Sequence, residues 1–134
     1  MVEGSVALHW RRYPERYSLI GNHCATCKTD YFPPRVFCHN CRRKGKLIVK
    51  DMPRTGKIVA FTEVFVGPVG FENETPYFLA LIDLGNGVIL LTQIVDSSRD
   101  RIQIGANVKM MFRKIQDNDK EGVINYGYKF KVTE

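Results

Sequence analysis

All the cysteines of this chain lie in one stretch, "CATCKTDYFPPRVFCHNC" (residues 24–41), as two Cys-x-x-Cys pairs separated by residues 28–37. No other feature constrains folding as tightly. A Cys-x-x-Cys turn presents two thiolates to one side of a metal ion, and a second such turn completes the tetrahedron that zinc prefers. Cys24, Cys27, Cys38 and Cys41 therefore form a complete ligand set, and Pro33-Pro34 steer the intervening segment into a turn, which is the layout of a zinc ribbon. A shell filled by four protein ligands leaves no position for an activated water, so the metal acts as a staple and not as a catalyst. One structural zinc per chain is the first reading; bound iron in a rubredoxin-like site, and a disulfide or vacant site, are the alternatives. His23 and His39 each adjoin a ligand cysteine and are read as bystanders.

Composition favours metal over disulfide. With 134 residues and 44% hydrophobic content the chain can bury one core plus an appendage without covalent cross-links. No run reaches the roughly 20 apolar residues that span a bilayer, and "MVEGSVALHWRRYPER" is too polar and basic for a secretory signal. The expectation is a cytoplasmic protein with no membrane segment, where thiols stay reduced and paired cysteines bind metal. The net charge of +6 is uneven: residues 1–57 carry 12 Lys or Arg against 4 acids, and residues 58–134 carry 8 against 10. A boundary near Pro53 to Gly56 follows, with the anion-binding surface on or beside the first half.

After Thr55 the pattern is that of strands. "TGKIVAFTEVFV" alternates loosely, and "PYFLALIDL" and "GVILLTQIV" flank Leu84-Gly85-Asn86-Gly87, a strong hairpin signal that predicts strands at 77–84 and 88–95. "SSRDRIQIG" reads as an irregular or one-turn helical link before "NVKMMFRKI" and "INYGYKFKV". A long first strand and a break between the third and fourth of five strands predict a small Greek-key barrel of the OB type. The fold class is mainly β, organised as an N-terminal helical segment (1–20), a zinc ribbon (21–53) and a five-stranded OB-fold domain (54–134). In the last strand Lys129 should face outward and opposite to Tyr128 and Phe130, which belong to the core. "QDNDKEG", with Asp117 and Asp119, reads as a hairpin loop.

At the start, Trp10, Tyr13 and Tyr17 recur at helical spacing, with Arg11, Arg12, Glu15 and Arg16 around them and Pro14 predicted to end or kink the helix near Tyr13. The aromatic stripe either covers the rest of the molecule or forms an exposed face for a partner protein.

Taken in order, "ERYSLIGNHCATCKTDYFPPRVFCHNC", the barrel strands and the closing "YGYKF" resemble domain-of-unknown-function family thirty-five over nearly the whole chain. Arg16-Tyr17, Phe32-Pro33-Pro34-Arg35 and Gly127-Tyr128-Lys129-Phe130 are its most specific points. One departure is that glycine often follows each knuckle in the family, whereas Lys28 and Arg42 stand there, which leaves the hairpin geometry open. The resemblance implies a rubredoxin-like zinc ribbon on an OB fold, and a non-catalytic acyl-CoA-binding or docking subunit of thiolase-like enzymes. It also implies a bridge between acetoacetyl-CoA thiolase and hydroxymethylglutaryl-CoA synthase as one form of that role.

The residues themselves leave three function classes. The basic run "CRRKGKLIVKDMPRTGK" is a solvated linker face, a site for the phosphates of CoA, or a nucleic-acid surface. Arg42, Arg43, Lys44, Arg54 and Lys57, with Arg35 held beyond two prolines, are the candidate CoA-binding residues, and Trp10, Tyr13 and Tyr17 the candidate partner-binding residues. A single-stranded nucleic-acid binder is the alternative, with Phe61, Tyr126 and Tyr128 as stacking platforms. Independent catalysis is disfavoured: no Gly-x-Ser-x-Gly elbow exists, and the histidines at 9, 23 and 39 have no evident nucleophile.

Overall fold

The computed structural model describes residues 6–117 and 124–133. Helix α1 (Val6–Ser18) leads into a three-stranded sheet of β1 (Ile20–Cys24), β2 (Asp30–Tyr31) and β3 (Leu47–Asp51). A closed barrel follows, built from β4 (Thr55–Val64), β5 (Tyr77–Asp83), β6 (Ile89–Ile94), β7 (Asn107–Asp117) and β8 (Ile124–Val132). The barrel order is β4-β5-β6-β8-β7, with β7 returning to β4, so the expected five-stranded OB topology is found. The hairpin between β5 and β6 sits where the Asn-Gly signal put it. Gly85 and Gly87 take φ of 85° and 86°, a region that L side chains seldom adopt. The link before β7 contains a single 3₁₀ turn, Arg99–Arg101. The loose alternation in the first barrel strand has a cause: a register shift between Ile58 and Ala60 flips the phase of β4 halfway along. Of the "QDNDKEG" stretch expected as a hairpin loop, Gln116 and Asp117 instead end β7, paired with Asn125 and Ile124 of β8, and residues 118–122, Asp119 among them, lie outside the described residues.

Two further expectations need correction. Helix α1 does not end near Tyr13 but continues through Pro14 to Ser18. Proline removes one backbone bond and crowds the carbonyl four residues earlier, but this helix has no fully buried residue, so water can satisfy the freed carbonyl. Stacking of Tyr13 on Tyr17 (4.6 Å between ring centroids) and of Tyr17 against Phe112 of β7 (5.1 Å) holds the turns beyond the proline in place. Lys129, expected outside, is only 5% exposed. The β4–β5 connection folds over it, and Glu74 at the end of a 3₁₀ turn pairs with its ammonium at 3.5 Å. Phe130 is fully buried as expected, and Tyr128 packs against the core.

The barrel core does not stop at the barrel. Leu19, at the end of α1, and Met52, after β3, are both buried in the same cluster as Ile58, Ile82 and Phe130. The Met52 amide donates to the Leu19 carbonyl (2.9 Å), so both ends of the ribbon segment are tied together at the point where they enter the barrel. A second tie is polar. The Asp30 carboxylate of β2, with 5% of its side chain exposed, accepts from Lys50 Nζ (2.9 Å), from Asn86 Nδ2 of the barrel hairpin (2.7 Å) and from the His23 ring. Burial by itself would raise this carboxyl's pKa, but the bonds from Lys50, His23 and Asn86 outweigh it and hold the group below the usual carboxylate range. Asp30→Ala would strand three donors, and is expected to cost roughly 2–3 kcal/mol in urea unfolding. Lys50→Ala, which removes a half-exposed partner, is expected to cost less than about 1 kcal/mol. Equal losses in the two variants would contradict the clamp.

Candidate metal centre and basic cleft

The four cysteine sulfurs all lie within 4.8 Å of one another. Cys24 and Cys41 are 4.0 Å apart and Cys27 and Cys38 3.4 Å, close to the roughly 3.8 Å that tetrahedral coordination at about 2.3 Å per Zn–S bond requires. No pair is at the roughly 2.05 Å of a disulfide. The knuckles explain the departure from glycine. Lys28 and Arg42 adopt φ of 62° and 53°, the left-handed conformation that glycine takes without strain. In each knuckle the amide of that residue donates to the carbonyl of the leading cysteine, Lys28 to Cys24 and Arg42 to Cys38, both at 2.8 Å. Side chains at these positions cost a little strain and leave the turn intact.

The polar surroundings favour thiolate on one ligand and oppose it on another. The Tyr31 hydroxyl, 3.3 Å from Cys38 Sγ, and the Cys41 amide hold the Cys38 thiol down to about 6. Burial, then the neighbouring cysteines, push Cys41 up to about 12. Sulfurs this close cannot all be negative unless a cation sits among them, so the donor set fits a divalent metal. His23 is turned away to Asp30 and is not among the ligands.

Two supporting residues escaped the sequence reading. Tyr31 is oriented by the His39 amide (3.2 Å) so that its hydroxyl meets Cys38. Gly45 lies against the metal site, where a Cβ would come within 2.7 Å of Cys38 Cβ and 3.2 Å of Cys24 Sγ. A pattern of ligands says nothing about which neighbour must be small, because that depends on how the β3 approach crosses the knuckles.

Beside the metal site a cleft of about 850 Å³ is lined by Phe37, Cys41, Arg42, Arg43 and Lys44. Three of the six candidate CoA residues therefore come together there. Lys57 lines a different cleft, beside Asp83 and Asn107. Arg35 lies over the Tyr31 ring at 5.5 Å. Arg54 is exposed at the start of the barrel, where its carbonyl accepts from the Met110 amide (2.7 Å). The three partner-binding candidates form one continuous ladder with two barrel residues. Trp10 meets Tyr13 edge-on (5.6 Å), Tyr13 stacks on Tyr17, Tyr17 meets Phe112, and Phe112 stacks on Tyr126 of β8 (5.4 Å). Trp10 is 72% exposed at the outer end, and Phe112 is more than half exposed. Of the proposed nucleic-acid platforms, Phe61 lies on β4 and Tyr126 on β8, which β7 separates, while Tyr128 packs against Phe32 (5.6 Å).

The architecture is that of a four-cysteine ribbon on an OB barrel with a leading helix. Residues 11–46 match the family described as "ChsH2, rubredoxin-like zinc ribbon domain" and residues 49–113 that described as "ChsH2, C-terminal OB-fold domain". A DUF35 domain-containing scaffold protein of Methanocaldococcus jannaschii is 42% identical over 129 residues, 96% of this chain and 92% of the relative. This chain belongs to the DUF35 family. A solved structure of an Ltp2-ChsH2(DUF35) aldolase superposes with a TM-score of 0.68 at 25% identity, over 98% of this chain and 96% of that one. A probable enoyl-CoA hydratase alpha subunit of Thermomonospora curvata is 31% identical over 99 residues, 74% of this chain and 30% of the relative. The points that carried the family resemblance converge: Phe32 packs on Tyr128, Tyr17 on Phe112, and Gly127 faces the Arg16 carbonyl, where a Cβ would lie 3.6 Å away.

Elemental analysis of protein produced without added metal is expected to give one zinc per chain, and a metal-free, folded ribbon would contradict the site. Cys38→Ser should release the metal and unfold the ribbon while the barrel's strand signal persists. Gly45→Ala should lower metal retention against a chelator with all four ligands present. Retention equal to that of the unaltered protein would show that the ribbon yields at this contact.

Proposed function

We propose that this chain is a non-catalytic scaffold subunit that docks on a thiolase-like acyl-CoA enzyme and offers a ribbon-borne site for the phosphates of CoA. The observation that carries the docking reading is the ladder from Trp10 to Tyr126. A tryptophan 72% exposed at the end of five interlocked rings is rigid apolar surface held ready for a partner. Both readings of the aromatic stripe have a place in it, since its inner rings fasten α1 to the barrel and its outer ring faces solvent. Scaffold naming among relatives, and a structural neighbour that is an aldolase of Ltp2 with a DUF35 component, support the same reading.

The cleft supplies the ligand chemistry. CoA carries a 3′-phosphate and a pyrophosphate, which call for guanidinium and ammonium groups, and an adenine that calls for an aromatic wall. Arg42, Arg43 and Lys44 offer the first and the largely exposed Phe37 the second. The metal site gives this short loop a fixed shape. Arg35, Arg54 and Lys57 are assigned to the outer field that draws the anion in. In the bridging form of the role, hydroxymethylglutaryl-CoA synthase would be the second enzyme.

Trp10→Ala is expected to leave the melting temperature unchanged and to weaken the complex with the host's thiolase-like enzyme by roughly 2 kcal/mol or more. A lowered melting temperature with unchanged affinity would reduce the ladder to a cover. For the cleft, calorimetry with CoA against a matched single-stranded oligonucleotide separates the two ligand classes. Arg42→Gly combined with Arg43→Ala should abolish most CoA binding while keeping the metal, because glycine suits the backbone at 42. Steeply salt-dependent oligonucleotide binding, with no response to CoA even when the enzyme is present, would favour nucleic acid.

A further inference from the structure

Strands that are apolar on both faces are ordinarily covered on both faces. In β5 and β6 the inward row Ala80, Ile82, Leu90 and Ile94 fills the core. Registered across the strands on the other side, Ala60 of β4 pairs with Leu81 and Leu81 with Leu91, and Ile89 lies two residues before Leu91. Leu81 is 39%, Ile89 54% and Leu91 59% exposed, on a surface where a solvated sheet carries polar side chains. The β4–β5 connection is pinned to this face through Glu74, which accepts from Gln93 (3.2 Å), and carries the exposed Phe65, Val66 and Val69.

Charge and topology say what could cover it. Residues 58–98 contain five acids and no Lys or Arg. Glu63, Glu74 and Asp96 are paired with Arg99, Lys129 and Arg113, so the carboxylates left at the margin are Glu72 and Asp83, the latter beside Lys57 in the register. A face with this margin has nothing to attract nucleic acid or an anionic bilayer. A second copy would bring the same excess of carboxylate, Glu72 and Asp83 against Lys57, to the interface. In the barrel ring, β5 is separated from β8 by β6 and from β7 by β4, so this face lies across the barrel from the β7–β8 surface where the aromatic ladder ends.

We infer that the outer face of β4–β6 is a second docking surface, for a protein that presents an aliphatic patch with basic residues at its edge and that differs from the protein bound at α1. This rests on the scaffold reading and adds to it the direction in which a second protein is held.

The test introduces a photo-cross-linking residue at position 91, and separately at position 10, in tagged full-length protein made in its own host. Cross-linked peptides are identified by mass spectrometry. Position 91 is expected to join a protein other than the one joined by position 10, at a segment containing Lys or Arg. Leu91→Lys should cut recovery of that protein about tenfold or more without changing recovery of the other or the melting temperature. Cross-links from 91 to another copy of this chain, to the same protein as position 10, to lipid or to nothing would overturn the inference, as would undiminished recovery with Leu91→Lys. If position 10 joins no thiolase-like enzyme while position 91 behaves as expected, the docking reading of α1 fails and the second surface stands.

Discussion

Four sulfur ligands placed to share one cation are the constraint on which the ribbon of this molecule depends. The segment between Leu19 and Met52 sends its two end residues into the barrel core and keeps little apolar surface for itself; Val36 and Phe37 at its tip are 98% and 62% exposed. Such a segment cannot hold a shape by hydrophobic burial, and a metal bound by four thiolates supplies on the order of 10 kcal/mol in comparable small domains. Everything displayed on the ribbon inherits its geometry from that site: the left-handed knuckles at Lys28 and Arg42, the Tyr31 hydroxyl on Cys38, and the basic cleft beside Cys41.

The ribbon is then oriented by contacts that reach the barrel from different directions. Leu19 and Met52 fix where it enters, Asp30 ties β2 to Asn86 of the β5–β6 hairpin, and Phe32 leans on Tyr128. The helix joins through Tyr17 on Phe112. Helix, ribbon and barrel thus meet where the family's most specific residues lie, and those residues serve mutual orientation. The proposed scaffold role needs this property, because it consists in holding other molecules in a set relation.

What could be read from residues alone followed local rules. Ligand spacing marked the four cysteines, and the Gly85-Asn86-Gly87 turn marked β5 and β6 to within a residue, because both depend on neighbours in sequence. Features that depend on distant segments escaped. Lys129 sits in a strand whose alternation points it outward, and only the β4–β5 connection, with Glu74, makes it buried. Pro14 suggests an end near Tyr13, yet the helix continues to Ser18, where Tyr17 packs on both Tyr13 and the distant Phe112. Gly45 has no motif, yet its missing Cβ is what lets β3 approach past the knuckles. The candidate cations divide for the same reason: Arg42, Arg43 and Lys44 are consecutive and share a cleft, whereas Lys57 belongs to the barrel end.

The proposed role is to place a metal-stiffened, cationic ribbon beside another enzyme's acyl-CoA. Electron cryomicroscopy of the complex purified from its own host, with CoA present, tests it most directly. Trp10 and Tyr13 should be buried against a thiolase-like subunit, and the cleft of Phe37, Arg42, Arg43 and Lys44 should face the CoA phosphates. A complex in which Trp10 faces solvent and the ribbon lies away from any bound CoA would contradict it.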